Sequence, residues 1–218
     1  MVEVTSLTPP PLATAPRSPF IGHAAGDRPN KNRQVGVRLS AGTLPTVLLL
    51  STWVHGADGL VPVVQAALNI SATPAATGGV QALEDGLLIR TGPEEFMLLA
   101  GAASYCVEGL RQTITADLGS VTDLSHARCI ISIEGEKSRD MLSKLFALDL
   151  REPQVPVGQI RLTVHHHVPC MLHRLGLERF DMVVFSTYVF DQLGMLIDAA
   201  LEYGVGLQHA GEWAVSTA

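Results

Sequence analysis

The spacing of apolar residues predicts short β-strands through most of the chain. Residues 35–39 and 47–53 have the pattern of strands, and the second is rich enough in Leu and Val to be buried on both faces. Residues 86–91 and 95–99 flank a Gly-Pro break, which is the pattern of a β-hairpin. Apolar runs predict four further strands, at residues 129–134, 160–166, 169–175 and 180–185.

Four other segments place their apolar residues at helical spacing. These segments are residues 58–69, 102–117, 137–147 and 187–203. Asp58 is the expected N-cap of the first helix, with Pro62 tolerated in its first turn, and Gly204 follows the last helix as a C-cap residue. Strands and helices in this order predict an α+β fold in which helices pack against mostly antiparallel sheets.

Both ends of the chain depart from this pattern. Residues 1–34 contain six of the thirteen prolines and too few apolar residues to offset the entropy lost on ordering. We expect an extended or disordered arm there, either a bare tail or a segment that orders against a partner. Residues 35–208 form the predicted globular domain, and residues 209–218 form a short C-terminal tail.

Composition narrows the class of protein. Apolar residues make up 47% of the chain and charged residues 17%, and the mean hydropathy of +0.26 indicates that another subunit covers part of the surface. The strongest apolar run, residues 47–54, is far shorter than the roughly 20 residues of a membrane-spanning helix. A net charge of −6 argues against nucleic-acid binding. We expect a cytoplasmic protein, because the N-terminus lacks the features of a secretory signal.

Residues 123–128 concentrate polar side chains at the start of a strand. Asp123, Ser125 and His126 are the residue types of a catalytic triad, but a triad needs an oriented hydrogen-bond chain and usually assembles from distant positions. In an extended segment His126 faces away from the other two. We favour a structural interpretation, in which Asp123 and Ser125 bind backbone donors at a turn and Arg128 pairs with a carboxylate.

Histidines form a second group of candidate site residues, at residues 165–167 and 173. On a strand His165 and His167 share a face, and His173 across a hairpin is a conceivable third metal ligand. The only nearby addition is Cys170 at the turn. Because a zinc site needs three or four convergent ligands, we do not expect a metal here.

Motifs for nucleotides and for acid–base chemistry give no further candidate. Neither GxGxxG nor GxxxxGK[ST] occurs, so a Rossmann nucleotide site is not expected. Glu94 and Glu95 are adjacent carboxylates, but successive hairpin positions face opposite sides and are typical of solvated turns. The residues alone therefore predict no catalytic, cofactor-binding or metal-binding residue on this chain.

Several segments together resemble the gamma subunit of heterotetrameric sarcosine oxidase. Residues 92–99, GPEEFMLL, are similar to the GPDEWLL hairpin of that family, and residues 121–132 are similar to its VTDLSHGRTVIRLSG segment. Further similarities follow in the same order, at residues 138–142 (ARDVL), 148–150 (LDL), 156–158 (PPG) and 168–174 (VPVLLHR). Phe96 stands where the family has Trp, but the shared order and spacing make the combination specific.

The family is similar in turn to the folate-binding fold of the glycine-cleavage T-protein, where a DxSH segment also precedes a strand and a helix. The resemblance implies a non-catalytic small subunit of a flavin-dependent oxidase or dehydrogenase that demethylates sarcosine or a related N-methyl amino acid. It places no cofactor on this chain. The implied partners are alpha, beta and delta type subunits, which would carry FAD, FMN, NAD and tetrahydrofolate.

Two alternatives stay open. A stand-alone tetrahydrofolate-dependent aminomethyl-transfer domain needs a carboxylate to anchor the pterin, and Asp123 or Glu84 are the candidates. A scaffold in cofactor maturation needs a reactive cysteine in a loop. The three cysteines, Cys106, Cys129 and Cys170, have no CxxC spacing, and we expect them to be small buried apolar side chains in a reducing compartment.

Overall fold

The computed structural model describes residues 23–53, 59–101 and 106–212 of the chain. These residues form twelve strands, namely β1 (Gly26–Arg28), β2 (Val37–Thr43), β3 (Thr46–Thr52), β4 (Val80–Leu83), β5 (Gly86–Gly92), β6 (Glu95–Ala100), β7 (Gly119–Asp123), β8 (Arg128–Glu134), β9 (Ile160–His165), β10 (Val168–Arg174), β11 (Arg179–Phe185) and β12 (Val205–Glu212). The helices are α1 (Leu60–Leu68), α2 (Cys106–Thr113), α3 (Ser138–Leu145) and α4 (Val189–Ala200). Short 3₁₀ turns lie at Ser125–Ala127, Ser186–Tyr188 and Leu201–Tyr203.

The strands form two sheets. One has seven strands in the order β1-β12-β2-β8-β11-β10-β9, and the other has five in the order β4-β5-β6-β3-β7. All neighbouring strands are antiparallel except β12 and β2, which run parallel. The predicted α+β fold with mostly antiparallel sheets is therefore confirmed.

The sheets and helices stack in four layers. The two sheets face each other across an inner core that includes Val47 of β3, Met97 of β6 and Met171 of β10. Helices α1 and α2 cover the outer face of the five-stranded sheet, and α3 and α4 cover that of the seven-stranded sheet. Alternation along β3 explains its composition, because Val47 faces the inner core while Leu48 and Leu50 face the helices.

Most predicted elements agree with the structure to within a few residues. The hairpin of β5 and β6, the strands β8 to β11 and all four helices lie where the apolar pattern placed them. The pattern did not predict β4 and β7, which are short and only partly buried. The expected N-cap Asp58 lies outside the described residues, and Gly59 holds the cap position of α1.

The seven-stranded sheet takes in residues that we had assigned to the two tails. Gly26–Arg28 of the expected arm pair with Val205–Leu207 of β12, and β12 itself continues to Glu212. Both segments form backbone hydrogen bonds with neighbouring strands, which their composition does not predict. Gly204 directly precedes β12 with a φ of +79°, and a Cβ at this position would lie 2.0 Å from the Gln34 carbonyl oxygen. No described helix is long and apolar enough to span a membrane.

A fully buried arginine connects the loops at one end of the seven-stranded sheet. Arg174, at the end of β10, is 0% exposed and lies over the ring of Phe180 at 5.7 Å. Its guanidinium donates to four backbone carbonyls, those of Leu150 (3.1 Å), Val155 (2.7 Å), Gly176 (3.1 Å) and Leu177 (3.5 Å). No described carboxylate pairs with it. We call this arrangement the carbonyl cage; it fixes the segment after α3 and the β10–β11 turn to one cation.

Replacing Arg174 with Met keeps an apolar stem but removes the donors to the carbonyl cage. We expect the free energy of unfolding to fall by at least about 3 kcal/mol, because buried carbonyls without donors retain their desolvation cost. Urea denaturation followed by circular dichroism measures the loss. The matched control is Arg151→Met, since the Arg151 side chain is 80% exposed and should cost far less. Equal losses in the two variants would contradict the structural role of the cage.

Candidate functional site

The polar residues 123–128 form a corner between the end of β7 and the start of β8. Asp123 Oδ1 accepts hydrogen bonds from the Ser125 backbone N–H (3.0 Å) and from Ser125 Oγ (2.7 Å). Ser125 Oγ in turn accepts the backbone N–H of Val47 at 3.0 Å. The Leu124 N–H donates to the Val47 carbonyl at 2.8 Å. The corner therefore attaches the β7–β8 connection to β3, as the structural interpretation of Asp123 and Ser125 predicted.

The second carboxylate oxygen of Asp123 binds helix α2. Asp123 Oδ2 accepts from Arg111 at 2.8 Å. The pKa of Asp123 is lowered, chiefly by the backbone and side-chain hydrogen bonds from Ser125 and further by Arg111. Both oxygens of the Asp123 carboxylate therefore take part in contacts that stabilise the fold.

His126 does not join Asp123 and Ser125 in a triad. It lies in the 3₁₀ turn and is exposed, and its carbonyl accepts a hydrogen bond from Ser186 Oγ at 2.9 Å. Its ring makes no hydrogen bond to another described residue. The structure thus places a surface imidazole beside a hydrogen-bonded Asp–Ser pair, without the oriented chain that a triad requires.

Arg128 departs from the sequence prediction. We expected an ion pair with a carboxylate, but the guanidinium carbon lies 3.6 Å from the centroid of the Phe185 ring. The two residues are cross-strand partners of β8 and β11, so an aromatic face is nearer than any described carboxylate. Burial lowers the pKa of Arg128, and the side chain donates no hydrogen bond within the described part of the chain.

The histidines do not converge. His165 pairs with Val168, and His173 pairs with Ile160, so His165 faces α3 and α4 while His173 faces the inner core. His166 and His167 form the β9–β10 turn with φ values of 47° and 68°, where the strand prediction was wrong. A two-residue hairpin turn of type I′ requires positive φ at both positions. The ring of His166 meets the edge of the His165 ring, with centroids 4.9 Å apart, but His173 lies on the opposite face of the sheet. No group of three or more metal ligands occurs in the described ranges.

His165 has a partner that the sequence did not reveal. Its side chain is 0% exposed, its Nδ1 bonds with Oε1 of Gln192 on α4, and its ring stacks on Phe146 at 5.2 Å. Its Nε2 is buried and has no described partner. Burial lowers the pKa of His165, so the ring is a neutral part of the helix-side core. The sequence predicts only that Gln192 lies in a helix. Helical spacing does not predict its contact with His165, which is 27 residues away.

The described cysteines are buried and poorly reactive. Cys129 and Cys170 both lie in the helix-side core, as the sequence predicted for them. Burial raises the pKa of Cys129, and it raises that of Cys170 to about 12. Because the thiolate is the reactive form, neither residue meets the requirement of a cysteine-dependent maturation scaffold. The side chain of Cys106 lies outside the described residues.

A cavity of about 420 Å³ opens beside the edge strand β9, between the two sheets. We call it the edge cavity. Its polar lining consists of Thr91, Glu95, Thr163 and Arg128, and Glu95 Oε1 accepts a hydrogen bond from Thr91 Oγ1 at 2.6 Å. The apolar lining includes Met97, Leu162, Val164, Pro169, Met171, Val183 and Phe185. Of the paired carboxylates, Glu95 thus faces the cavity and Glu94 does not line it.

Sequence comparison identifies the family. A family model described as the sarcosine oxidase gamma subunit family matches residues 54–202. The chain belongs to this family. The sarcosine oxidase subunit gamma of Corynebacterium sp. strain U-96 is 26% identical over 204 residues, which are 93% of this chain and 95% of that protein. The subunit gamma of an Arthrobacter species is 25% identical over 122 residues, 56% of this chain and 60% of that protein.

Two solved structures have folds similar to that of this chain. A chain of the heterotetrameric sarcosine oxidase from Corynebacterium sp. U-96 superposes with a TM-score of 0.70 at 24% identity, over 86% of this chain and 95% of that one. The glycine cleavage system aminomethyltransferase T from Bartonella henselae gives a TM-score of 0.57 at 14% identity, over 81% of this chain and 48% of that one. Both likenesses agree with the predicted relationship to the T-protein fold.

The corner makes a direct prediction about two neighbouring residues. Asp123→Ala removes the acceptor of the Ser125 N–H and should lower the free energy of unfolding by about 1 kcal/mol, the usual value for a lost turn or cap bond. His126→Ala should stay within about 0.5 kcal/mol of the unmodified protein, because its exposed ring holds no described partner. Urea denaturation compares the two. A larger loss for His126 than for Asp123 would overturn this description of the corner.

The burial of His173 should make the stability of the fold depend on pH. Burial lowers its pKa from 6.5 to about 4, with a backbone hydrogen bond to Gly158 acting in the opposite direction. Between these values the unfolded chain binds a proton that the folded chain does not. The contribution of His173 is therefore complete above pH 6.5 and declines as the pH falls towards 4, by up to about 3 kcal/mol in all.

Urea denaturation at pH 7, 6 and 5 measures this slope. His173→Gln should give a shallower decline than the unmodified protein, although His165 still contributes. His126→Ala should keep the original slope and is the control for removal of an exposed imidazole. An unchanged slope in the His173 variant would show that this ring is not the titrating group.

Proposed function

We propose that this chain is the non-catalytic small subunit of a heterotetrameric, flavin-dependent sarcosine oxidase or a related N-methyl amino acid oxidase or dehydrogenase. The observation that carries the proposal is the family match over residues 54–202, together with a relative aligned over nearly the full length of both chains. The role of the chain in this proposal is to stabilise the complex during oxidative demethylation, with the released one-carbon unit passed to tetrahydrofolate.

The uses already found for its polar side chains support a non-catalytic role. Asp123 and Ser125 bind the backbone, Arg111 and each other. His165 and His173 are buried on opposite faces of one sheet. These four side chains, which sequence analysis singled out for chemistry, therefore contribute to the fold. In this proposal FAD, FMN, NAD and tetrahydrofolate are held by the partner subunits, which are of the alpha, beta and delta types, and the complex works in the cytoplasm.

The surface of the chain supports assembly with other subunits. Large apolar side chains are exposed at Leu162, Val164, Leu177, Tyr188 and Phe190. Of these, Leu162 and Val164 lie together beside the edge cavity, and exposed apolar side chains that adjoin one another are typical of a surface that meets a protein partner. Their presence agrees with the high apolar content of the chain.

The alternative, a stand-alone tetrahydrofolate-dependent aminomethyl-transfer domain, has less support. Its candidate anchor Asp123 already binds Ser125 and Arg111. The other candidate, Glu84, is exposed in the β4–β5 turn, and neither residue lines the edge cavity. The likeness to aminomethyltransferase T concerns the fold alone.

Purification from the native host tests the proposal. A tagged full-length chain should co-purify with flavin-containing subunits, visible as bound flavin absorbance, and the complex should oxidise sarcosine or another N-methyl amino acid. The His126→Ala chain should support the same turnover, because we assign no chemistry to its ring. Recovery of the chain without flavoprotein subunits would refute the assembly. Tight tetrahydrofolate binding by the isolated chain, measured by calorimetry, would favour the alternative instead.

A further inference from the structure

Strand β9 leaves backbone hydrogen-bonding groups without partners at one edge of the seven-stranded sheet. The Arg174 N–H donates to the Gln159 carbonyl at 3.1 Å, so every second residue from 159 onward faces β10. The intervening residues face outward, and the Ile160 N–H accordingly bonds the Gly78 carbonyl outside the strand at 3.3 Å. The outward N–H and C=O groups of Leu162 and Val164 have no partner in the described ranges.

The side chains of β9 also lack the usual protection of an edge strand. Exposed edges are normally blocked by charged side chains, proline, a bulge or a covering segment. The one charged residue of β9, Arg161, directs its guanidinium to Gln154 and Gln159. β9 reads IRLTVH, pairs with β10 in regular register, and exposes 40% of Leu162 and 54% of Val164. Both side chains border the edge cavity. An apolar side chain presented beside β9 would have a preformed place to enter.

The edge cavity contains a cation with unused donors. The guanidinium of Arg128 is half-buried on the ring of Phe185 and donates no hydrogen bond to any residue that the structure describes. Glu95 is the only acidic residue in the cavity lining; it accepts from Thr91 and forms no ion pair with Arg128. A guanidinium in this setting is best matched by a carboxylate, which it can bind through two parallel hydrogen bonds.

We propose that β9 and the edge cavity together dock an extended segment of a partner subunit. The segment adds to the sheet beside β9 through the outward backbone groups of Leu162 and Val164. It places an apolar side chain in the cavity and a carboxylate on Arg128. This mode of recognition is β-strand addition, in which backbone bonds give affinity and side-chain pockets give specificity. The proposal rests on the proposed function, because it assumes that partner subunits exist.

Charge decides between this occupant and a second copy of the chain. Two copies paired through β9 would bring a second Arg161 to the interface and no carboxylate, since residues 160–165 contain no acidic residue. Arg128 would then stay without an anionic partner in both copies. A small free carboxylate could bind Arg128 but would leave the outward groups of Leu162 and Val164 unpaired. A partner strand with an acidic residue satisfies both requirements.

Amide hydrogen exchange tests the docking without any substitution. In the isolated full-length chain the N–H groups of Leu162 and Val164 should exchange rapidly, because they face solvent. In the complex with the native flavoprotein subunits both should become at least tenfold slower. Unchanged exchange at these two residues, in a complex that has formed, would overturn the docking site and leave the proposed function intact.

Three variants test the parts of the surface separately. Val164→Pro removes only an outward donor, which an edge strand tolerates, while Leu162→Glu places a charge at the cavity and Arg128→Gln removes the cation. Each should weaken binding to the partner subunits by tenfold or more in titration by biolayer interferometry. The matched control Leu201→Glu changes a side chain of similar exposure, 47%, which precedes β12 near the opposite edge of the sheet, and should stay within twofold.

Each outcome of the binding experiment either supports or overturns the docking site. Weaker binding by all three variants, with thermal midpoints close to that of the unmodified chain, supports the docking. If one variant unfolds, the remaining two still test it. Normal binding by folded β9 variants overturns the site alone, whereas no binding by the unmodified chain refutes the proposed function and the site together. A dimer of the isolated chain that Val164→Pro dissociates would assign the edge to a second copy and overturn the partner strand.

Discussion

The interaction between Arg174 and its carbonyl cage is the constraint on which one end of the structure depends. A fully buried guanidinium is costly unless its donors are satisfied, and here four backbone carbonyls satisfy them. Those carbonyls belong to the segment after α3 and to the β10–β11 turn, neither of which has a regular ladder of its own. One side chain therefore holds two irregular segments against the end of β10.

The family signature around residues 123–128 also connects separate elements through side-chain hydrogen bonds. Two of its polar side chains are used locally, because Asp123 accepts hydrogen bonds from Ser125 and Arg111 while Ser125 accepts one from the backbone of Val47. The corner thereby connects the strand β3, the helix α2 and the β7–β8 turn. Asp123 and Ser125, which resemble part of an active site in the sequence, connect secondary-structure elements in the folded chain. The contacts of Asp123 and Ser125 therefore explain the signature through the fold.

Elements with strong apolar periodicity could be predicted from the sequence, and elements made by distant pairing could not. The strands β8 to β11 and the helix α4 bury one continuous stripe or face, so their pattern is visible locally. β1 pairs with the start of β12, and β12 pairs with β2, but the residues of β1 and β12 show no period. Arg128 was mispredicted because its neighbour across the sheet, Phe185, is 57 positions away. The turn at His166 and His167 was not predicted because it lacks the Gly, Asn or Asp that usually marks a two-residue hairpin turn.

The parallel pairing of β12 with β2 has a consequence for the order of events during synthesis. Strand β12 lies between β1 and β2 in the sheet, yet it is made from residues 205–212, long after residues 26–43 leave the ribosome. Until then β2 has an open edge and β1 has no neighbour. Among the strands of this sheet β12 is translated last, so the early part of the chain stays in an incomplete state that exposes strand edges, as is common where distant segments pair. A partner that binds before residues 205–207 have been made would meet a chain in which β1 is not yet paired.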